Sequence, residues 1–140
     1  MTDHYQHPDQ VEEAFYAAFA RLDADAIGAL LSNAQASCIH PGGPLLEGKD
    51  AVLQSWREIF TSARPPTMAH RTLQRLEDGA LAVHLVEERI RPSGEASTKA
   101  ALVFATNVYV RDNGGWRLAR HHASLPLMGR ADHHTGHAVH

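Results

Sequence analysis

Apolar residues recur at helical spacing through the N-terminal half of the chain and at alternate positions from Met68 onward. Val11, Phe15, Phe19 and Leu22 form one stripe, which predicts a helix beginning near Pro8, a residue tolerated at a first helical position. "RLDADAIGALLS" predicts a second short helix, with Asp23 or Asp25 near its start and Ile27, Leu30 and Leu31 on its buried face. "AQASCIH" predicts a strand, which a Pro-Gly-Gly-Pro corner cuts off directly after His40. "LLEG" then leads into a third helix, "KDAVLQSWREIF", lined by Val52, Trp56, Ile59 and Phe60. "ARPP" ends it, because proline cannot donate the helical hydrogen bond. Beyond it, "MAHRTLQRL", "ALAVHLVEERI", "KAALVFATNVYVR" and "WRLARHHAS" predict four strands in a meander, with "EDG", "RPSG" and "DNGG" as the turns.

Helices segregated from an antiparallel sheet make an α+β class. The 140 residues suit one domain, here residues 1–125, followed by a histidine-rich tail over 126–140. The net charge of −3 argues against a nucleic-acid partner, since phosphate binding needs a basic face. No apolar window reaches the roughly 20 residues of a membrane span. The N-terminus lacks the basic and apolar regions of a secretory signal, so the expected location is cytoplasmic. Cys38 is the single cysteine, which excludes an internal disulfide.

The order helix, helix, strand, helix, four-strand meander resembles the cone-shaped nuclear transport factor 2-like superfamily, which shares the cystatin-like architecture. "HPGGPLLEG" before a Trp-containing helix resembles the first-strand corner of SnoaL-like and ketosteroid-isomerase-like domains. "ATNVYVRDNGGWRLARHHAS" is similar to their closing hairpin, and to the end of the calmodulin-dependent kinase II association domain. The resemblance implies a curved antiparallel sheet with about three helices packed on its concave side, enclosing a cavity. A homodimer through the convex sheet face would account for apolar residues on both faces of "ALAVHLVEE".

Strand alternation selects what enters such a cavity. Trp116, Leu118, Arg120, His122 and Ser124 share one face of the last strand, and Asn107 and Tyr109 one face of the strand before. Asn107 matches the position of a pocket-facing arginine in the kinase association domain, and the same match turns Ala82, His84, Val86 and Glu88 inward. Alternation alone leaves that strand open, because Leu81, Val83 and Leu85 make a more apolar opposite face. Glu88 inside would need a partner, and His84 is a candidate. Trp56 is expected as core and cavity wall.

His40 occupies the place that resembles the general-base aspartate of ketosteroid isomerases. It reads either as a base titrating near neutral pH or as a ring tying down the turn. The isomerase's oxyanion-hole tyrosine aligns with Phe15, Tyr16 lies one residue away on a different helical face, and "AALVFA" offers no acid. Steroid isomerase activity is therefore not expected. Two functions stay open. One is cofactor-free proton transfer (isomerisation, cyclisation or hydration) on a small apolar molecule. It would have His40 and His122 as catalytic groups, with Trp56, His84, Glu88, Asn107, Tyr109 and Ser124 around the substrate. The other is a non-catalytic ligand-binding or dimerisation module. No cofactor is expected. His133 and His137 would share a face of a helix in the tail and could chelate a cation. Gly136 weakens such a helix, so no metal site is assigned.

Overall fold

A computed structural model describes residues 4–93 and 99–127. The histidine-rich tail and the chelating pair expected in it lie outside the described residues.

Three helices and six strands follow in the order α1 (Pro8–Ala20), α2 (Ala24–Leu30), β1 (Ser37–Ile39), β2 (Leu45–Glu47), α3 (Lys49–Thr61), β3 (Thr67–Asp78), β4 (Leu81–Arg91), β5 (Ala101–Asp112) and β6 (Gly115–Ser124). They build one curved α+β sheet of order β2-β1-β6-β5-β4-β3. Two features depart from the expected antiparallel meander. "LLE" forms a strand, β2, paired with β1, and β1 runs parallel to β6. A three-residue strand is too short for alternation to reveal it.

Local chemistry sets the element ends. Gln10 Oε1 accepts from the backbone N–H groups of Gln6 and His7 at 2.8 and 3.1 Å, closing the start of α1. Asp23 caps α2 by accepting from the Ala26 N–H at 3.0 Å. The corner after β1 is a four-residue turn closed by Gly43 N–H to His40 C=O at 2.8 Å. Proline stands at its second position and Gly42, at φ +74°, at its third, as a type II turn requires. Gly48 enters α3 at φ 94° and ψ 148°, a region L side chains rarely adopt. A Cβ there would touch nothing, so the backbone alone sets the cost of substitution. Gly48→Ala is expected to lose about 1–2 kcal/mol in urea unfolding. An unchanged midpoint would show that the entry to α3 relaxes freely.

The helices cover one face of the sheet, and the core lies between the two layers. Phe15, Ile27, Trp56, Trp116 and Leu118 are almost wholly buried there. Burying each such side chain contributes about 1.5–3 kcal/mol. The opposite face is partly apolar: Val83, Leu85, Val108 and Val110 are only half-buried, and Leu76 is 72% exposed.

Two irregularities re-aim side chains. The β3–β4 register slips at Leu73. In β6, Tyr109 pairs with Leu118 and Val108 with Arg120, so Ala119 is an extra residue, a β-bulge. Beyond a bulge the inward and outward sets exchange. Trp116 and Leu118 face the core as expected, but past Ala119 it is His121 and Ala123 that are buried. His122 and Ser124, expected to share the inner face, are exposed on the other side.

Candidate active site

Strand β4 turns Ala82, His84, Val86 and Glu88 inward, and β5 turns Asn107 and Tyr109 inward. Four of these are polar and buried, so each needs a partner. Helix α1 supplies two. Glu12 accepts from Tyr109 Oη–H at 2.6 Å, from His84 Nδ1 at 2.9 Å and from the Thr72 hydroxyl. Tyr16 Oη donates to Glu88 Oε2 at 2.6 Å and accepts from Asn107 Nδ2 at 3.0 Å. Asn107 Oδ1 lies 2.6 Å from His121 Nδ1, which must be the donor because an amide oxygen only accepts. Two adjoining polar clusters result: Thr72, His84 and Tyr109 around Glu12, and a row from Glu88 through Tyr16 and Asn107 to His121.

The two carboxyl groups titrate far apart. Burial would raise Glu12, but hydrogen bonds from His84, Thr72 and Tyr109 outweigh it and bring Glu12 down to about 2. Burial also raises Glu88, and the bond from Tyr16 only partly offsets it. With the Glu12 charge nearby, Glu88 stands at about 7. Burial, then the nearby carboxylate in each case, pushes both Tyr16 and Tyr109 well above the usual phenol range. Burial, then the charges of His40 and His122, drives His121 down to about 3, so its ring is neutral at ordinary pH.

His40 sits half-buried at the end of β1, edge-on to Trp56 at 4.7 Å between centroids. Ser55 Oγ donates its one proton to the Val52 carbonyl at 2.7 Å, so at 3.0 Å it accepts from His40 Nε2–H. Burial lowers the His40 pKa. Trp56 in turn lies 6.0 Å from the His121 ring, which places His40, Trp56, His121 and Asn107 in one contiguous interior. Cys38 is buried close by, its thiol pushed up to about 12 by burial and then by the Glu88 charge.

Of the residues anticipated around the substrate, Trp56, His84, Glu88, Asn107 and Tyr109 are brought together. His122 and Ser124 are not, because of the Ala119 bulge. The expected His84–Glu88 pair does not form: His84 binds Glu12 and Glu88 binds Tyr16. Tyr16, expected on a different helical face, reaches the interior. Helix α1 lies so deep between the layers that Glu12, Phe15 and Tyr16 are all buried. Sequence reasoning missed Glu12, Tyr16, Thr72 and His121. A usable signal existed for the first two, which stand four residues apart beside the apolar stripe.

Asp9, Glu12 and His84 offer three ligand atoms within 4.8 Å of one another, the donor types of a divalent-cation site. Arg75 Nε already lies 3.0 Å from Asp9, and Glu12 is held by three donors, so these groups are satisfied by protein partners.

An open cleft of about 570 Å³ is lined by Phe19, Phe60, Pro66 and Ile90. Ile90 is the next inward position after Glu88 on β4, and Phe19 lies one helical turn beyond Tyr16. His70, the cross-strand partner of Glu88, stacks on Tyr16 at 4.3 Å and 19° and remains partly exposed.

A SnoaL-like domain family profile matches residues 9–128. Among solved structures, the chain is similar to a Thiobacillus denitrificans protein provisionally described as a calcium/calmodulin-dependent protein kinase type II association domain. The two share 30% identity over 89% of this chain and 99% of that one, with a TM-score of 0.83. It is also similar to a Streptomyces avermitilis protein provisionally described as a dehydratase of the NTF2-like family, at 30% identity, 85% and 93% coverage and TM-score 0.75. A ketosteroid isomerase-like protein from Erwinia carotovora, at 19% identity, 84% and 92% coverage and TM-score 0.72, shares the fold. Curated proteins gave no match.

Proposed function

The chain belongs to the SnoaL-like domain family, and from that footing we propose that its cone binds a small, largely apolar molecule and moves a proton on it, with Glu88 as the acid/base group. The observation that carries this reading is the contrast between the two carboxyl groups. Glu12 is a fixed anion held by three donors. Glu88, at about 7, can give or take a proton at neutral pH. Tyr16 orients the Glu88 carboxyl, and Asn107 orients Tyr16. The cleft at Ile90 has a volume suited to a small ligand, and Glu88 is the neighbouring inward position on β4, about 7 Å along the strand. His70 covers the pair and must move aside for the substrate. Isomerisation, cyclisation and elimination of water each begin with such a proton transfer, and in elimination the proton taken can return to the departing hydroxyl; a relative described as a dehydratase agrees with that class. In this scheme His40 walls the interior beside Trp56, and the base is Glu88.

Native mass spectrometry of wild-type protein incubated with a cell metabolite extract tests the proposal. A small adduct is expected, and the adduct isolated in D2O with enzyme should gain deuterium. Deuterium gain unchanged by Glu88→Gln, or no adduct at all, would defeat the assignment.

A second reading, association through the outer sheet face, draws on the exposed Leu76 and the half-buried Val83, Leu85 and Val108 beside it. We infer a homodimer seated there, compatible with the first reading. Light scattering should give twice the 15.3 kDa chain mass, and a single-chain mass would exclude the dimer.

A further inference from the structure

A second cleft lies away from the Glu88 network, between α1, α2 and the start of β6. Its volume is about 410 Å³. Arg21, Lys49 and Arg117 line it, and among the described residues its lining contains no carboxylate. That is a concentration of positive charge on a chain whose net charge is −3. The three cations are not equally engaged. Arg21 reaches Asp23 at 3.3 Å across a largely exposed surface, a contact of little strength. Lys49 Nζ donates to the neutral Asn33 Oδ1 at 3.0 Å, which leaves its charge uncompensated. Arg117 Nη1 is buried and has no hydrogen-bond partner among the described residues. A guanidinium nitrogen shut away from solvent with nothing to bind is rare in a folded protein and calls for an acceptor. Ala14, Ala17 and Leu30 supply a short apolar part of the remaining wall, with Tyr5 and Asn33 beside it.

We propose that this cleft is an anion-binding site for a small molecule that carries a carboxylate or phosphate group on a short apolar body. The anionic oxygens accept from Lys49 Nζ and from the Arg117 guanidinium, which turns its buried Nη1 toward the cleft on binding, and the guanidinium fork suits either group. The apolar body lies along the alanine wall of α1. The site is independent of the Glu88 assignment, since no residue of the polar network lines it.

Octanoate, octyl phosphate and octanol, titrated into the wild-type protein and followed by amide NMR shifts, test the proposal. Octanoate or octyl phosphate should shift the amides of Ala14, Ala17 and Lys49, the tighter of the two identifying the headgroup. Octanol should bind about tenfold more weakly or worse. Arg117→Met should weaken the anion by about tenfold or more while melting no lower than wild type, because it removes a buried unpaired donor. Lys49→Gln, at a partly exposed position, gives a second variant and should weaken binding about threefold or more. Equal binding of octanol, shifts confined to Phe19, Phe60 and Ile90, or unchanged affinity in both variants would overturn the proposal.

Discussion

Replacing Glu12 with alanine is expected to cost about 3–5 kcal/mol of folding stability, read from urea unfolding at neutral pH. The side chain is 3% exposed and accepts from Tyr109, His84 and the Thr72 hydroxyl. Alanine would strand two buried donors, Tyr109 and His84, and the half-buried Thr72 hydroxyl at once, and leave a cavity. Asp9→Ala is the matched control. Its carboxylate is 56% exposed against Arg75, so its loss should cost less than about 1 kcal/mol. The pH dependence carries the same signature. The folded pKa of Glu12, about 2, lies below its ordinary 4.5, so the unfolded chain binds more protons between those values. Stability from this group is present above about pH 4.5 and drains away as the pH falls toward 2. If Glu12→Ala unfolded at the wild-type midpoint, the network would not be a structural element of the core.

Glu88 is expected to act with the opposite sign in the adjoining window. Its folded value of about 7 exceeds its ordinary 4.5, so the native state holds the extra proton between them. Stability should therefore fall as pH rises from about 4.5 to about 7, by about 3 kcal/mol for this group, and level off above. Glu88→Gln keeps an acceptor for Tyr16 and carries no charge, so it should lack this slope. The comparison is a series of unfolding midpoints for both proteins at closely spaced pH values. Parallel curves for wild type and Glu88→Gln between pH 5 and 7 would mean that Glu88 titrates like an ordinary carboxylate and cannot serve as the proposed acid/base.

The architecture was legible in the sequence because its causes are local. The Val11–Phe15–Phe19–Leu22 stripe, the Trp56 helix and four alternating strands each declare themselves within a short window. The inward set of β4 and β5 was readable as well, from alternation plus resemblance. Two kinds of feature were not. The first is a change of phase: the bulge at Ala119 leaves no mark in "RLARHHAS", yet it exchanges His122 for His121 as the interior ring. The second is partnership at long range. Glu12 looks like one half of a solvated Glu-Glu pair, and its partners lie 60, 72 and 97 residues away. Reasoning from need would have come closer. Four polar side chains turned inward on β4 and β5 require partners, and α1 is the element that can reach them, with Glu12 and Tyr16.

Asn107 gives the interior a property beyond cohesion. Hydroxyls, carboxyls and imidazoles can each accept a proton at one atom and release another, so a row of them conducts. A primary amide does not do so readily, and Asn107 stands between Tyr16 and His121, while the donors around Glu12 form a cluster of their own. It is an insulator in the middle of the row. Charge placed on Glu88 is felt by Glu12 through the field alone, and no proton passes from one to the other. The two acids can thus keep separate accounts of ionisation although they share one buried interior.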